Sequence, residues 1–190
     1  MAVFSRHGLI TELLDRTELL KASTHPFLRL TDEQLLSRPG PGKWSIAEIY
    51  GHLNLCMDQH IRRILSRITL APDRPLDVYR SSWLGDWFYW RIKPRPDGSV
   101  FKLKALQANC PDAESLDGRE ELVAFQRHCD ALDDILRHVW TKDLRRIRIP
   151  FALNGMVQLQ LGDMLRFVVA HGERHLLQAQ RVWASNLPVI

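Results

Sequence analysis

The stretch Leu161-Gly-Asp-Met-Leu165-Arg-Phe-Val-Val-Ala-His171-Gly-Glu-Arg-His175-Leu-Leu-Gln-Ala179-Gln-Arg-Val182 decides the fold. Its apolar positions, Leu161, Met164, Leu165, Val168, Leu176, Ala179 and Val182, recur every three to four residues. That period places them on one helix face, the face that a bundle helix turns inward. His171 and His175 sit four residues apart inside the same stripe, one above the other. A buried imidazole without a partner costs about 1–3 kcal/mol, so two of them on a core face need a shared solution. A divalent metal satisfies both.

Working outward, the second strong helix begins at Ser45. Ser45 with Glu48 forms an S-x-x-E capping box, in which serine and glutamate each satisfy a free backbone N–H. Ile49, Leu53, Cys56, His60 and Ile64 continue a helix face to about Thr69, and His52 lies beside that stripe as a third candidate ligand. A first helix is expected from about Ser5 to Ala22, with Leu9, Leu13 and Leu20 inward, broken near His25 by Pro26. Thr31 with Gln34 caps a short helical turn, and Pro39-Gly-Pro-Gly42 stops it. A third long helix is expected from about Asp117 to Trp140, carrying Leu122, Phe125, Cys129, Leu132, Ile135, Leu136 and Val139. The fourth is expected from near Gln158 to Ala184. The link before it, through Ile147 to Pro150 and Asn154-Gly155, suits a short extended segment or a turn. Four long amphipathic helices predict an all-α protein, a four-helix bundle formed by one domain over residues 1–190.

Residues 70–118 form a long connection between the second and third helices, punctuated by five prolines. Within it lies Trp83-Leu-Gly-Asp-Trp87-Phe-Tyr-Trp90, too aromatic for a disordered segment. The simplest reading has Trp83, Trp87 and Trp90 closing one end of the core; the other makes them a substrate-binding wall. If the site is catalytic, this segment is expected to border its cleft.

Composition removes several classes. No apolar run reaches the ~20 residues of a membrane span, and Met1 to Ile10 lacks a secretory pattern, so a cytoplasmic location is expected. Three cysteines without C-x-x-C spacing argue against a zinc ribbon or a disulfide framework. The charge of +4 is modest, and the cluster Arg145, Arg146 and Arg148 has no accompanying nucleic-acid motif, so nucleic acid is not an expected partner. H-E-x-x-H requires a glutamate directly after the first histidine; Gly172 stands there, and Glu173 is rotated roughly 200° from His171, toward solvent. No nucleophile elbow or phosphate-binding glycine loop occurs. Cys56 reads as a small apolar filler and His60 as structural, while His7 and His25 are assigned to surface or helix-end positions. Gln59 and Gln178 are candidates for orienting the ligand imidazoles.

Two segments carry a resemblance. Trp44-Ser-Ile-Ala-Glu-Ile-Tyr-Gly-His52-Leu53, preceded by Leu30-Thr-Asp-Glu-Gln-Leu35 and the Pro/Gly loop, resembles the opening of the DinB/YfiT-like family. Leu161 to Leu165 and His171-Gly-Glu-Arg-His175-Leu-Leu-Gln178 are similar to that family's final helix. The resemblance covers nearly the whole chain and is weakest over residues 70–118, which puts an inherited substrate in doubt. It implies an up-down-down-up four-helix bundle in which His52, His171 and His175 bind one divalent ion, with Zn, Ni, Fe and Mn all open. Several members are transferases or isomerases that act with low-molecular-weight thiols such as bacillithiol or mycothiol. Others have no known activity. The family name refers to a member induced by DNA damage, hence an expected role in bacterial stress rather than DNA binding.

The resulting expectation is a metal-dependent enzyme with a small-molecule substrate and a low-molecular-weight thiol as co-substrate. The ion drives a thiol toward thiolate, or acidifies a water, for attack on an electrophile. The alternative is a non-catalytic metal- or ligand-binding bundle. A homodimer is compatible with either.

Overall fold

Three of the four long helices start where a side chain caps them. The computed structural model describes residues 1–103, 105–151 and 156–186. Helix α1 spans Arg6–Ala22, and the Ser5 hydroxyl accepts the Gly8 N–H at 3.2 Å. It buries Leu9, Leu13 and Leu20, as its period predicts. The chain turns at Pro26 into a single 3-10 turn and re-enters helix at α2, Asp32–Leu36, with both hydrogen bonds of the Thr31/Gln34 box formed. Helix α3 spans Ile46–Ile68, and the Ser45/Glu48 box is likewise complete. Helix α5, Gly118–His138, is capped by Asp117, and helix α6 spans Leu161–Asn186.

These four long helices form the bundle, with α3 against α5 and α6, and α1 against α5 and α6. Side-chain contacts give the directions. Arg16 on α1 meets Glu173 on α6, and Phe27 just beyond α1 meets Trp183 late in α6, so α1 and α6 run parallel. Gly118 at the start of α5 sits on Ala47 at the start of α3, so these two are also parallel. His60 late in α3 faces Phe167 early in α6, so that pair is antiparallel. The order is up-down-down-up. Gly172 lets α6 pack tightly on α1: a Cβ there would stand 2.8 Å from Leu20 Cδ1.

The connection between α3 and α5 is more ordered than its prolines suggest. Strand β2, Val78–Arg80, pairs antiparallel with β1, Val3–Ser5, with Phe4 opposite Tyr79. Helix α4, Trp83–Ile92, follows, capped by Ser82. It turns Gly85, Tyr89 and Ile92 inward, and Trp83, Trp87 and Trp90 are 71%, 48% and 63% exposed. The expectation that the three tryptophans close the core is therefore corrected. At 100° per residue they fall about 140–200° around the helix from Gly85. Gly85 is the residue that must face in, because a Cβ there would lie 2.0 Å from the Asp163 carboxyl carbon.

One further boundary differs. Strand β3, Arg148–Pro150, pairs with β4, Gln158–Gln160, with Ile149 opposite Leu159, so Gln158 belongs to a strand and α6 begins three residues later. Alternation over so short a segment is a weak signal beside a long helical period. Asn154 and Gly155 lie outside the described residues. Among the described residues no helix is long and apolar enough to cross a membrane.

Candidate metal centre

Helices α3 and α6 bring three imidazoles to one point. His52, His171 and His175 are all buried, and one ring nitrogen from each lies within 4.8 Å of the others. The His52 ring centroid is 5.4 Å from that of His171 and 4.7 Å from that of His175, and the latter two are also 4.7 Å apart. The antiparallel crossing makes this possible, since it sets the second turn of α3 against the third and fourth turns of α6.

Hydrogen bonds orient two of the rings. His52 Nδ1 lies 2.7 Å from the backbone carbonyl oxygen of Asn109, which can only accept, so Nδ1 carries the proton and Nε2 keeps its lone pair. His175 Nδ1 donates to Gln178 Oε1 at 2.9 Å, with the same consequence. Gln178 thus orients a ring directly. Gln59 acts at one remove, donating from Nε2 to Asn109 Oδ1 at 3.0 Å. Asn109 escaped the sequence reading because its contact is a main-chain carbonyl 57 positions away, which leaves no side-chain signature. Phe167 stacks on His171 at 5.8 Å, and Trp44 lies 5.0 Å from the His52 ring.

Burial keeps these rings neutral. Desolvation lowers His175 to about 3, helped by the neighbouring His52. Desolvation also holds His171 well below its ordinary value, with His175 and His52 adding to the effect. His52 is lowered by burial too, partly opposed by the Asn109 carbonyl. Three neutral imidazoles with converging nitrogens form a donor set that suits a divalent transition ion.

The centre lies on the wall of a cavity of about 670 Å³. Trp44, Leu103, Phe151 and Phe167 supply apolar surface, and α4 contributes only Ile92, so the tryptophan face of that helix does not border the cavity. Cys56 Sγ is 3.8 Å from His52 Nε2, but burial pushes its thiol up to about 12, and it remains a neutral filler beside the centre. His60 lines the same cavity, edge-on to Phe167, and its Nδ1 has no hydrogen-bond partner among the described residues. His7 and His25 are exposed, and His128 Nδ1 pairs with Asn54 Oδ1 on the other side of α3.

Glu173 is not free in solvent as its helical angle suggested. Its two carboxylate oxygens accept from Arg16 Nε and Nη2, both at 2.7 Å, tying α6 to α1 away from the cavity. Arg174 was passed over by the sequence reading. It is buried, lines the cavity, and has its acidity raised by desolvation alone.

A family model described as the DinB superfamily matches residues 16–179. No curated protein and no solved structure matches the chain. The matched residues include all of α3 and α5, parts of α1 and α6, and all three histidines of the centre, and the chain belongs to the DinB superfamily.

Proposed function

We propose that this protein is a divalent-metal-dependent enzyme acting on a small molecule, with His52, His171 and His175 holding one ion and a low-molecular-weight thiol as co-substrate. The observation that carries the reading is the convergence of three neutral imidazole nitrogens on the wall of a cavity of small-molecule size. A bound ion supplies Lewis acidity, which favours the deprotonated form of a thiol or water that reaches it. Three protein ligands leave a position for that molecule. The Asn109 carbonyl and Gln178 hold the His52 and His175 tautomers, so the lone pairs are presented without reorganisation. Trp44, Phe151 and Phe167 give the cavity apolar surface beside the centre. The thiol transfer or isomerisation is supported by the family's chemistry, and the metal site by the donor set itself.

Element-specific analysis of untagged protein tests the first half. One ion per chain is expected, with sharp loss in His52→Ala, His171→Ala and His175→Ala and retention in His60→Ala. Full retention in any of the three removes that residue from the site. For the second half, bacillithiol or mycothiol should alter the visible spectrum of cobalt-loaded protein and be transferred to an electrophile in a chelator-sensitive reaction. An unchanged spectrum and no turnover across a panel of electrophiles would leave a metal- or ligand-binding bundle as the better account.

A further inference from the structure

Charge around the cavity is one-sided. Lys43, Arg63 and Arg174 line it, and no aspartate or glutamate does among the described residues. None of these three cations forms an ion pair among the described residues. Two other sheltered cations are paired with carboxylates, Arg16 with Glu173 and Arg166 with Asp86 and Asp163, whereas Arg6, away from this cavity, also has shielded nitrogens without a hydrogen-bond partner among the described residues. A guanidinium is costly to bury without an opposite charge, so a buried one without a carboxylate partner needs another explanation.

Arg174 is that case. It is one residue before His175 on α6, and Nη2 donates to the Phe101 carbonyl. Nη1 is shielded from solvent and has no partner among the described residues. Arg63 is less available, since Nη1 donates to the Phe151 carbonyl at 3.0 Å and Nη2 to Gln59 Oε1 at 3.4 Å. Lys43 is exposed, at the cavity's edge. The remaining wall is largely apolar, including Leu103, Phe151 and Phe167.

We infer that the cavity takes a small molecule with an apolar body and an anionic group, a carboxylate or a phosphate-type group, and that Arg174 is its specificity-determining contact. The anion supplies the opposite charge that the cavity wall lacks, and Lys43 draws it in from the edge. A charge-assisted hydrogen bond to guanidinium is about twice as strong as a neutral one, which makes it a discriminating contact in an apolar wall. This rests on the reading of the cavity as the substrate site, but not on an ion being bound there.

The test is calorimetric titration of the full chain, metal-loaded and metal-free, with 3-phenylpropanoate, phenylphosphonate and the uncharged 3-phenylpropanamide. At least one acid should bind about tenfold more tightly than the amide, in both forms of the protein. Arg174→Gln should abolish that preference and Arg174→Lys should keep part of it, with metal content measured in each. A preference in metal-free protein that is lost in Arg174→Gln supports the inference even if the metal reading fails. Equal binding of acids and amide to the wild-type protein overturns it, without recourse to any variant. So does a preference confined to the metal-loaded form that survives in Arg174→Gln, because the ion would then be the anion's partner.

Discussion

His52 Nδ1 sits 2.7 Å from the carbonyl oxygen of Asn109, so the long connection between α3 and α5 reaches back to set the tautomer of a histidine in the bundle. A main-chain acceptor cannot be removed by a side-chain substitution and cannot itself donate. The Nε2 lone pair of His52 is therefore fixed by backbone, whereas that of His175 depends on one replaceable amide, Gln178.

That difference makes Gln178→Leu informative. The Nδ1–H of His175 loses its acceptor, and the ring is free to adopt the wrong tautomer or rotate. Loss of such an orienting partner typically weakens metal binding 10–100-fold. Competition with a chromophoric chelator should show a fall of that size with the melting temperature little changed. Unaltered affinity would mean that packing alone orients the ring.

Asp163 holds α4 on the bundle. It is fully buried and accepts from the Tyr79 hydroxyl at 2.6 Å, from Ser82 N at 3.0 Å and from Ser82 Oγ at 2.7 Å. Asp163→Ala leaves the Tyr79 and Ser82 donors without their acceptor and Arg166 with Asp86 alone, a change expected to cost about 3–5 kcal/mol. Urea denaturation should show it, and limited proteolysis should cut first near residues 80–93. Asp163→Asn, which keeps an oxygen for Tyr79 or Ser82, should lose less.

Glu173 separates structure from chemistry. Because both its oxygens are held by Arg16, Glu173→Gln should destabilise the fold by about 1–2 kcal/mol. Metal content should not change. Adding Arg16→Gln should cost little more than either single change, since the pair acts as one unit. Loss of metal in Glu173→Gln would instead place this carboxylate in the centre's chemistry.

His60 predicts acid sensitivity of the metal-free protein. Burial, with the nearby Arg63 charge, lowers it to about 4, against 6.5 for an ordinary histidine. Between those values the unfolded chain binds the extra proton and the folded one does not, so stability rises with pH and is lost on acidification. The loss starts near pH 6.5 and levels off below about 4. At about 1.4 kcal/mol per pH unit, this ring alone accounts for about 2 kcal/mol between pH 6.5 and 5. The lowered histidines of the centre add to the slope in the same direction. His60→Phe should flatten the dependence by one proton's worth in urea titrations at several pH values; an unchanged slope would mean that His60 is protonated normally in the fold.

The starts of α2 and α3 were legible in the sequence because they are set locally. Ser45 with Glu48 and Thr31 with Gln34 make their capping bonds three residues apart, and the stripe from Leu161 to Val182 shows its inward face by period alone. The same locality placed His171 beside His175 on that face. What only the tertiary structure decided are relationships between residues far apart in the chain: His52 facing His175 across two antiparallel helices, Asn109 behind His52, and Glu173 taken up by Arg16. The orientation of α4 belongs with these, because its tryptophans and its glycine compete for the same space and only the position of Asp163 settles which face turns in. Helical period and capping are properties of a few adjacent residues, whereas partners brought together by packing depend on how whole helices cross, which no short stretch of sequence encodes.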